Sequence, residues 1–249
     1  MRYFVPDIRA AAELGPQVES ADKFGGLPWG LPARFWPRCK ACGGSQSLLA
    51  ELHHHPQRIN LGRADRVLFV FQCNHDPGMC ATWEADSGAN ACLVLERDQL
   101  EVGLTSAPED NPLEEHELRV VQWIERDDGL SEELRASFFD QERYFALPRD
   151  VQQAVTSGTR LGGVPKWVQN PSEAPPHSDR WRFIGQLDSG HSFLRPPAVD
   201  VGWISVDPDN WEGRTHFGEG PNFGDGGIAY LFIRVAEPVV EGRFMWQCG

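Results

Sequence analysis

With 249 residues, the chain can form one large domain or two small ones, and its 41% hydrophobic residues and nine tryptophans exclude a disordered protein. The formal charge of −13 argues against nucleic-acid binding, because phosphate recognition needs clustered Lys and Arg side chains. The first residues lack the basic and apolar regions of a signal peptide, and no window approaches the roughly 18 apolar residues of a membrane span. We therefore expect a cytoplasmic protein with reduced cysteines that binds neither nucleic acid nor a membrane.

The predicted elements of the first half are mostly strands. A short helix is predicted over residues 7–15. The segment "RVLFVFQC" (66–73) is apolar on both faces, as in a fully buried central strand. The segment "ELRVVQWIER" (117–126) has a strand pattern and ends at Asp127-Asp128-Gly129, which is typical of a hairpin turn.

The second half begins with the remaining helical patterns. Helices are predicted over residues 131–145, with Ser131 as a plausible N-cap, and over residues 148–157. The segment "GGIAYLFIRV" (226–235) again has the pattern of a buried strand. The fold class predicted from these elements is α+β, β-rich and built mainly from antiparallel sheets.

The two halves of the sequence resemble each other. A basic residue followed by Gly-Gly, Pro and Trp occurs in both halves, and each copy precedes a leucine-containing segment and then an apolar strand. This order predicts an internally duplicated unit, with pseudo-repeats over about 20–125 and 155–249 that are joined by an acidic, partly helical middle segment. The three matched pairs are "KFGGLPWGLP" (23–32) with "RLGGVPKWVQ" (160–169), "SLLAEL" (47–52) with "RFIGQL" (182–187), and "VLFVF" (67–71) with "AYLFI" (229–233).

Four of the six cysteines occur as two local pairs, which is the spacing of a metal site. Cys39 and Cys42 are followed by two glycines, as in a zinc knuckle, where backbone N–H groups turn toward sulfur. Cys73 ends the predicted buried strand, and a turn at Pro77-Gly78 would bring Cys80 back toward it. We predict that Cys39, Cys42, Cys73 and Cys80 bind one structural zinc ion, because four thiolates close the coordination shell.

Other interpretations of these cysteines are weaker. A redox Cys-x-x-Cys motif normally precedes a helix, whereas this pair precedes Gly-Gly and a strand pattern. Disulfides conflict with the expected reducing compartment. His75 is an alternative ligand in place of Cys73 or Cys80. Three consecutive histidines at 53–55 are interpreted as part of a solvated loop, although alternate side chains could share an ion.

The order of these motifs resembles two protein families. Lys23 to Trp29, the Cys39–Gly43 segment, "SLLAEL" and the strand ending at Cys73 are similar to the N-terminal part of programmed cell death protein 2 and its relatives. The later segments "RLGGVPKWVQ", "FIGQLDS", "NFGDGGIAYLFI" and "FMWQCG" resemble the bacterial YwqG-like family. The resemblance implies one YwqG-like domain over residues 1–249, with a duplicated β-rich fold and no established catalytic residues.

The resemblance also implies a function in protein binding. Relatives of programmed cell death protein 2 are implicated as dedicated chaperones of a ribosomal protein, and YwqG-like proteins are thought to occur among bacterial immunity proteins. We therefore expect a non-enzymatic, zinc-stabilised protein that binds a basic protein client. The acidic stretch "APEDNPLEEHE" (107–117) is a candidate docking surface, with a solvated loop as the alternative.

The alternative function is an uncharacterised enzyme. Its acidic and histidine site would lie near Asp188, His191 and Asp225, although Asp-Ser-Gly and Gly-Asp-Gly are also common turn sequences. No established nucleotide-binding, hydrolase or metalloprotease motif supports this alternative. The sequence makes no prediction about the oligomeric state.

Overall fold

The computed structural model describes residues 1–76, 78–110, 112, 115–175, 181–195, 197–199, 204–206 and 216–249. Within these residues, ten strands form one antiparallel sheet, and β9, β10 and β11 form a smaller sheet. The strands are β1 (Arg2–Ala10), β2 (Lys23–Phe24), β3 (Ser47–His53), β4 (Val67–Gln72), β5 (Asn90–Leu95), β6 (Leu118–Asp127), β7 (Arg160–Gly162), β8 (Arg182–Asp188), β9 (Gly190–Phe193), β10 (Ile204–Val206), β11 (His216–Glu219), β12 (Ile228–Ala236) and β13 (Val239–Gln247). The predicted β-rich, antiparallel fold class is confirmed.

The large sheet curls into a nearly closed barrel. Its strand order is β13-β12-β8-β7-β1-β6-β2-β3-β4-β5, and the two edge strands, β13 and β5, pack against each other. A Cβ atom at Gly242 of β13 would lie only 2.4 Å from the Cβ of Cys92 on β5. Glycine at this position therefore permits the close approach that nearly closes the barrel.

Both predicted central strands are buried on both faces, as expected. In β4, Leu68 and Val70 face the main core, whereas Phe69 and Phe71 join a separate outer cluster. The same alternation occurs in β12, where Leu231 belongs to the main core and its neighbours pack on the outer side. Each strand therefore has apolar residues at successive positions because both of its faces are covered.

Loops and short helices cover the outer faces of the sheet. The helices are α1 (Ala11–Leu14), α2 (Gln141–Ala146) and α3 (Arg149–Ala154), with 3-10 helices at Ala33–Phe35, Arg97–Gln99, Glu132–Phe139 and Pro171–Glu173. The segment with Phe138, Phe139 and Tyr144 packs beneath β8 and β12, while Leu31 packs against β4 from another loop. The outer layer is thus irregular, and the sheet supplies the regular framework.

Three local predictions were wrong. Of the predicted helix at 7–15, only residues 11–14 are helical, as α1, whereas residues 7–10 belong to β1, because pairing with β6 overrides the helix preference of this alanine-rich segment. The turn at Asp127–Gly129 does not make a hairpin, since β6 pairs with β1 and β2. The helix predicted at 131–145 is divided into a 3-10 helix, Glu132–Phe139, and α2.

The strand order is the same when it is followed outward from the β1–β6 pair in either direction. On one side β6 is followed by β2, β3, β4 and β5, and on the other side β1 is followed by β7, β8, β12 and β13. The strands at the two Gly-Gly segments, β2 in the first half and β7 in the second, therefore both lie directly beside the central β1–β6 pair. The pairing register also shifts once between β3 and β4 in the first half and once between β8 and β12 in the second.

Two buried, positively charged side chains also occupy equivalent positions in the two halves. Lys23 of β2 and Arg160 of β7 have no exposed surface, and each donates a hydrogen bond to the carbonyl oxygen four residues later, at Leu27 and Val164. Opposite them, β3 and β8 place Glu51 and Gln186, which accept bonds from the backbone N–H groups of Trp29 and Lys166. These equivalences support the predicted duplication, which stays a prediction.

Candidate metal centre

The first cysteine pair lies in a tight turn between Arg38 and Ser45, which form an isolated β-bridge. The N–H of Cys39 donates to the oxygen of Gly44 at 2.8 Å, and the N–H of Gly43 donates to the oxygen of Cys39 at 2.9 Å. Gly43 has a φ of 78°, which glycine adopts without strain. The N–H of Gly44 lies 3.4 Å from the Sγ of Cys42, so the turn directs a donor at sulfur as predicted.

The second pair is held by the end of β4 and the loop after it. Cys73 follows β4 directly, and its N–H donates to the oxygen of Ala89 at 2.8 Å. The N–H of Cys80 lies 3.2 Å from the oxygen of Asp76, which closes a turn that contains Gly78, with a φ of 82°. Pro77 lies outside the described residues. The turn returns Cys80 to the end of the strand.

The four cysteines form one cluster, as the sequence predicted. Their Sγ atoms all lie within 4.8 Å of one another, and the Sγ atoms of Cys42 and Cys73 are 3.6 Å apart. A tetrahedral ion with sulfurs at 2.3 Å would require sulfur–sulfur distances of about 3.8 Å, whereas a disulfide would require about 2.05 Å. Cys39, Cys73 and Cys80 are buried and Cys42 is exposed. The cluster could therefore hold a metal ion at the protein surface.

The electrostatics of the thiols are consistent with a cation at this position. Burial raises the pKa of Cys73 and of Cys80. Burial also acts to raise the pKa of Cys39, but hydrogen bonds from the backbone N–H groups of Cys42 and Ala41 outweigh this effect and lower it. Four thiolates at this separation repel one another, so their joint ionisation needs a compensating positive charge.

Other candidate ligands lie outside the cluster. His75 is exposed, and its ring lies beside Gly44, where a Cβ atom would be 2.9 Å from the His75 Cγ. A metal site needs at least three side chains that can act as ligands close together, and among the described residues the four cysteines form such a group. Cys92 packs against the main core, and Cys248 lies against Gly224. A set of four thiolates suits Zn²⁺, although iron also binds four sulfurs, so the identity of the metal is a proposal.

The acidic stretch at 107–117 is largely engaged inside the molecule. Asp110 accepts bonds from the N–H and the hydroxyl of Ser45, both at 2.7 Å, and so anchors the first cysteine turn. Glu115 accepts a bond from Asn74, next to Cys73. Glu117 forms ion pairs with Lys23 and Arg119, Glu109 is exposed, and Glu114 lies outside the described residues.

These contacts identify a role for the acidic stretch that the sequence analysis missed. Asp110 and Glu115 hold the turns that carry the cysteines, and a docking surface on this stretch stays a prediction. The partners, Ser45 and Asn74, are 65 and 41 residues away in sequence, so no local pattern could have identified them.

The three histidines at 53–55 do not form a solvated loop. His53 ends β3, and its ring contacts the side chains of Asp22 and Ser20. The Nδ1 atom of His54 accepts a bond from the N–H of Leu61 at 3.0 Å, and that of His55 lies 3.3 Å from the N–H of Gln57. The three rings therefore have separate partners and do not share a metal site.

The residues of the alternative enzyme site have structural partners. Asp188 accepts bonds from the N–H groups of Gly158 and Gly190 at 2.8 and 3.2 Å, which secures two turns. His191 is buried, with its ring 5.9 Å from that of Phe24. Asp225 is exposed, and its backbone carbonyl oxygen accepts a bond from the N–H of Gly249. The side chain of Asp188 thus secures turns, and that of His191 packs in the core.

Comparisons with models of protein families, with curated proteins and with solved structures found no match to this chain. The resemblance to YwqG-like proteins and to programmed cell death protein 2 therefore stays a prediction. Among the described residues, no helix is long and apolar enough to cross a membrane. The structure therefore shows a nearly closed antiparallel barrel with a cluster of four cysteines that could hold a metal ion.

Proposed function

We propose that this chain is a zinc-stabilised protein-binding protein. The cysteine cluster would hold in place a loop that binds a basic protein client. The observation that carries the proposal is the loop at residues 74–89, here named the metal loop. It runs between β4 and β5, its described residues (74–76 and 78–89) form turns and bends with no helix or strand, and Cys80 lies near its middle. A metal ion would fix this loop to β4 and to the Cys39–Cys42 turn.

The metal loop exposes apolar side chains of the kind that form binding hot spots. Met79 is 77% exposed and Trp83 is 36% exposed. Tryptophan is enriched among residues that dominate binding energies, and methionine adapts to varied partner surfaces. Large apolar side chains left in solvent on a metal-braced loop favour a docking function over a purely structural one.

A pocket lies next to these side chains. It has a volume of about 280 Å³ and is lined by Thr82, Trp83, Gln72 and Trp246 among others. The rings of Trp83 and Trp246 meet edge to face, with centroids 5.9 Å apart. Because Trp246 belongs to β13, the pocket is supported by the sheet and could receive an apolar side chain of a client.

The charge of the metal loop favours a basic client. The loop contains Asp76, Glu84 and Asp86 but no Lys or Arg. Asp86 forms an ion pair with Arg243, while Asp76 and Glu84 are exposed. An acidic rim around an apolar centre attracts a positively charged segment and gives the association a salt dependence.

The other parts of the proposal follow from this arrangement. Four thiolates leave no open coordination position, so the zinc has a structural role and takes part in no catalytic step. A cytoplasmic location would keep the thiols reduced. The protein would act as a chaperone-like or immunity-type binder, as the family resemblance implies, and its client would supply the basic segment.

The test uses the full-length protein, purified without chelator, and a peptide rich in Lys and Arg that contains one leucine. Binding is measured by calorimetry at several salt concentrations. Met79→Ser and Glu84→Gln should weaken binding, Met79→Ser by about tenfold or more, since the side chain would lose its apolar contact. Phe145→Ser is the matched control, because Phe145 is also exposed but belongs to α2.

A matched peptide with Glu in place of Lys and Arg should not bind. Equal binding of both peptides, or equal weakening by Phe145→Ser and Met79→Ser, would contradict the proposed surface. Removal of zinc by a chelator should abolish peptide binding if the metal holds the loop in place.

A further inference from the structure

Three polar side chains on the first half of the barrel form a chain of hydrogen bonds. The Oγ atom of Ser20 lies 2.7 Å from the Nε2 atom of His53, and the Nδ1 atom of His53 lies 3.0 Å from a carboxylate oxygen of Asp22. These are the distances of a nucleophile, a general base and a carboxylate that orients the base. Such a triad is recognised by geometry and not by the order of its residues in the sequence.

The orientation of the histidine is determined by Asp22. Burial acts to raise the pKa of Asp22, but hydrogen bonds from the side chain and backbone of His53 outweigh it and lower the pKa. The ionised carboxylate only accepts hydrogen bonds, so Nδ1 of His53 carries the proton that it donates. In the neutral ring, Nε2 then has a lone pair, to which the hydroxyl of Ser20, 2.7 Å away, can donate.

The carboxylate itself is held firmly. Its oxygens accept bonds from the indole N–H of Trp123 at 2.7 Å and from the backbone N–H of His53 at 2.7 Å. The guanidinium of Arg58 is 3.5 Å away, and only 10% of the Asp22 side chain is exposed. Asp22 is therefore preorganised as a positioning residue.

The serine, in contrast, is accessible. Ser20 is exposed and borders an open cleft of about 520 Å³. Val18, Trp29, Leu100 and Val102 supply apolar surface to the cleft, and the charged residues Glu19, Arg97 and Glu101 also line it. The cleft can thus present an apolar molecule to the hydroxyl of Ser20.

The corresponding positions of the second half carry different side chains. If Lys23 is matched with Arg160 and Glu51 with Gln186, then Asp22 and His53 correspond to Thr159 and Asp188. In the second half, the hydroxyl of Thr159 accepts the backbone N–H of Asp188 at 3.0 Å, which is the bond that Asp22 makes with the N–H of His53. Thr159 thus accepts the same backbone hydrogen bond without a histidine at the donating position, and the imidazole of His53 occurs in the first half alone of these two corresponding sites.

We propose that Ser20 and His53 are catalytic residues, oriented by Asp22, that hydrolyse small carboxylic esters with an apolar acyl group bound in this cleft. The site is independent of the cysteine cluster and of the proposed client-binding surface, and it would add a hydrolytic activity to a binding protein.

The neighbouring Glu51 is compatible with this chemistry. Its Oε1 atom lies 3.0 Å from the Oγ of Ser20, and its side chain is fully buried. Burial raises the pKa of Glu51 above its ordinary value. The hydroxyl of Ser20 donates to the Oε1 atom of Glu51, so it must turn toward Nε2 of His53 before the ring can take its proton.

The reaction follows the two steps of nucleophilic ester hydrolysis. The Oγ of Ser20 bonds to the carbonyl carbon while its proton passes to Nε2 of His53, and the proton then goes to the departing alcohol as the carbon–oxygen bond breaks. In the second step a water molecule attacks the acyl-serine, and His53 takes its proton and returns it to Ser20. The products are an alcohol and a carboxylic acid, and no other reactant is needed.

The test treats the full-length, zinc-containing protein with an alkyl fluorophosphonate and, separately, with p-nitrophenyl butyrate. Intact mass and peptide mapping are expected to show one phosphonyl group, on Ser20. Ser20→Ala should abolish the label and lower the rate of ester hydrolysis by about 100-fold or to background, without a change in melting temperature, since Ser20 is exposed. Ser157→Ala is the matched control, because Ser157 is exposed and corresponds to Ser20 in the second half.

The two outcomes are distinct. Loss of label and of hydrolysis in Ser20→Ala, with both retained in Ser157→Ala, supports the triad. An unlabelled parent protein, a label on another residue, or equal hydrolysis by the parent and Ser20→Ala overturns it, and the hydrogen bonds would then have only a structural role.

Discussion

The buried imidazole of His191 should make the stability of this protein depend on pH. His191 lies in β9 and is only 5% exposed, with its ring 5.9 Å from that of Phe24. Burial disfavours the charged ring, and the nearby His116 adds a smaller electrostatic effect in the same direction. Together they lower the pKa of His191 from 6.5 to about 4 in the folded protein.

The sign and size of the effect follow from these two pKa values. Between pH 6.5 and pH 4 the unfolded chain binds a proton at His191 that the folded protein does not bind, so stability rises with pH in this window. The contribution is fully present above pH 6.5 and is lost as the pH falls toward 4. A difference of about 2.5 pKa units corresponds to about 3 kcal/mol of unfolding free energy.

The assay is urea unfolding at several pH values between 7 and 4.5, for the parent protein and for His191→Leu. The leucine side chain does not titrate, so the variant should lose less stability on acidification than the parent. Acid release of a bound metal affects both proteins alike and cancels in the comparison. Identical pH dependences of the parent and the variant would refute the assignment of a buried, neutral histidine.

Two further predictions concern the metal and the division of the chain. Protein purified without chelator should contain about one zinc ion per chain, and Cys73→Ser should lose the metal and melt at a lower temperature, whereas Cys92→Ser should keep it. Metal-free parent protein that melts normally would contradict the site. Fragments 1–125 and 126–249, expressed separately, should be insoluble or molten because each would expose unpaired strand edges. Two fragments that each melt cooperatively would contradict this expectation.

The cysteine cluster could be predicted because its determinants are local. Cys39 and Cys42 are two residues apart and are followed by glycines, and Cys73 ends a segment whose unbroken apolar pattern marks a buried strand. Turn residues set the remaining geometry, as at Gly78 beside Cys80. Spacing and turn chemistry are both visible in a single sequence, so the clustering of these four cysteines could be predicted without the tertiary fold.

The features that sequence analysis missed depend on distant partners. The segment at 7–15 has helix-forming alanines, but β1 obtains its hydrogen bonds from β6, more than 100 residues away. Ser20, which contacts the ring of His53, lies 33 residues earlier in the sequence. Asp110 contacts Ser45 over 65 residues. Propensity and periodicity describe only neighbouring residues, so they carry no information about these pairings.

The position of β1 has a consequence for how this protein folds. Tyr3 pairs with Arg126 on one side and with Gly162 on the other, so two loops of more than 100 residues must close before β1 has both neighbours. Contacts between such distant residues slow folding, because the chain loses the entropy of loop closure before it gains the contacts. The ordering of β1 between β6 and β7 should therefore be the slow step, and during that delay the edges of both half-sheets are open to association with other chains.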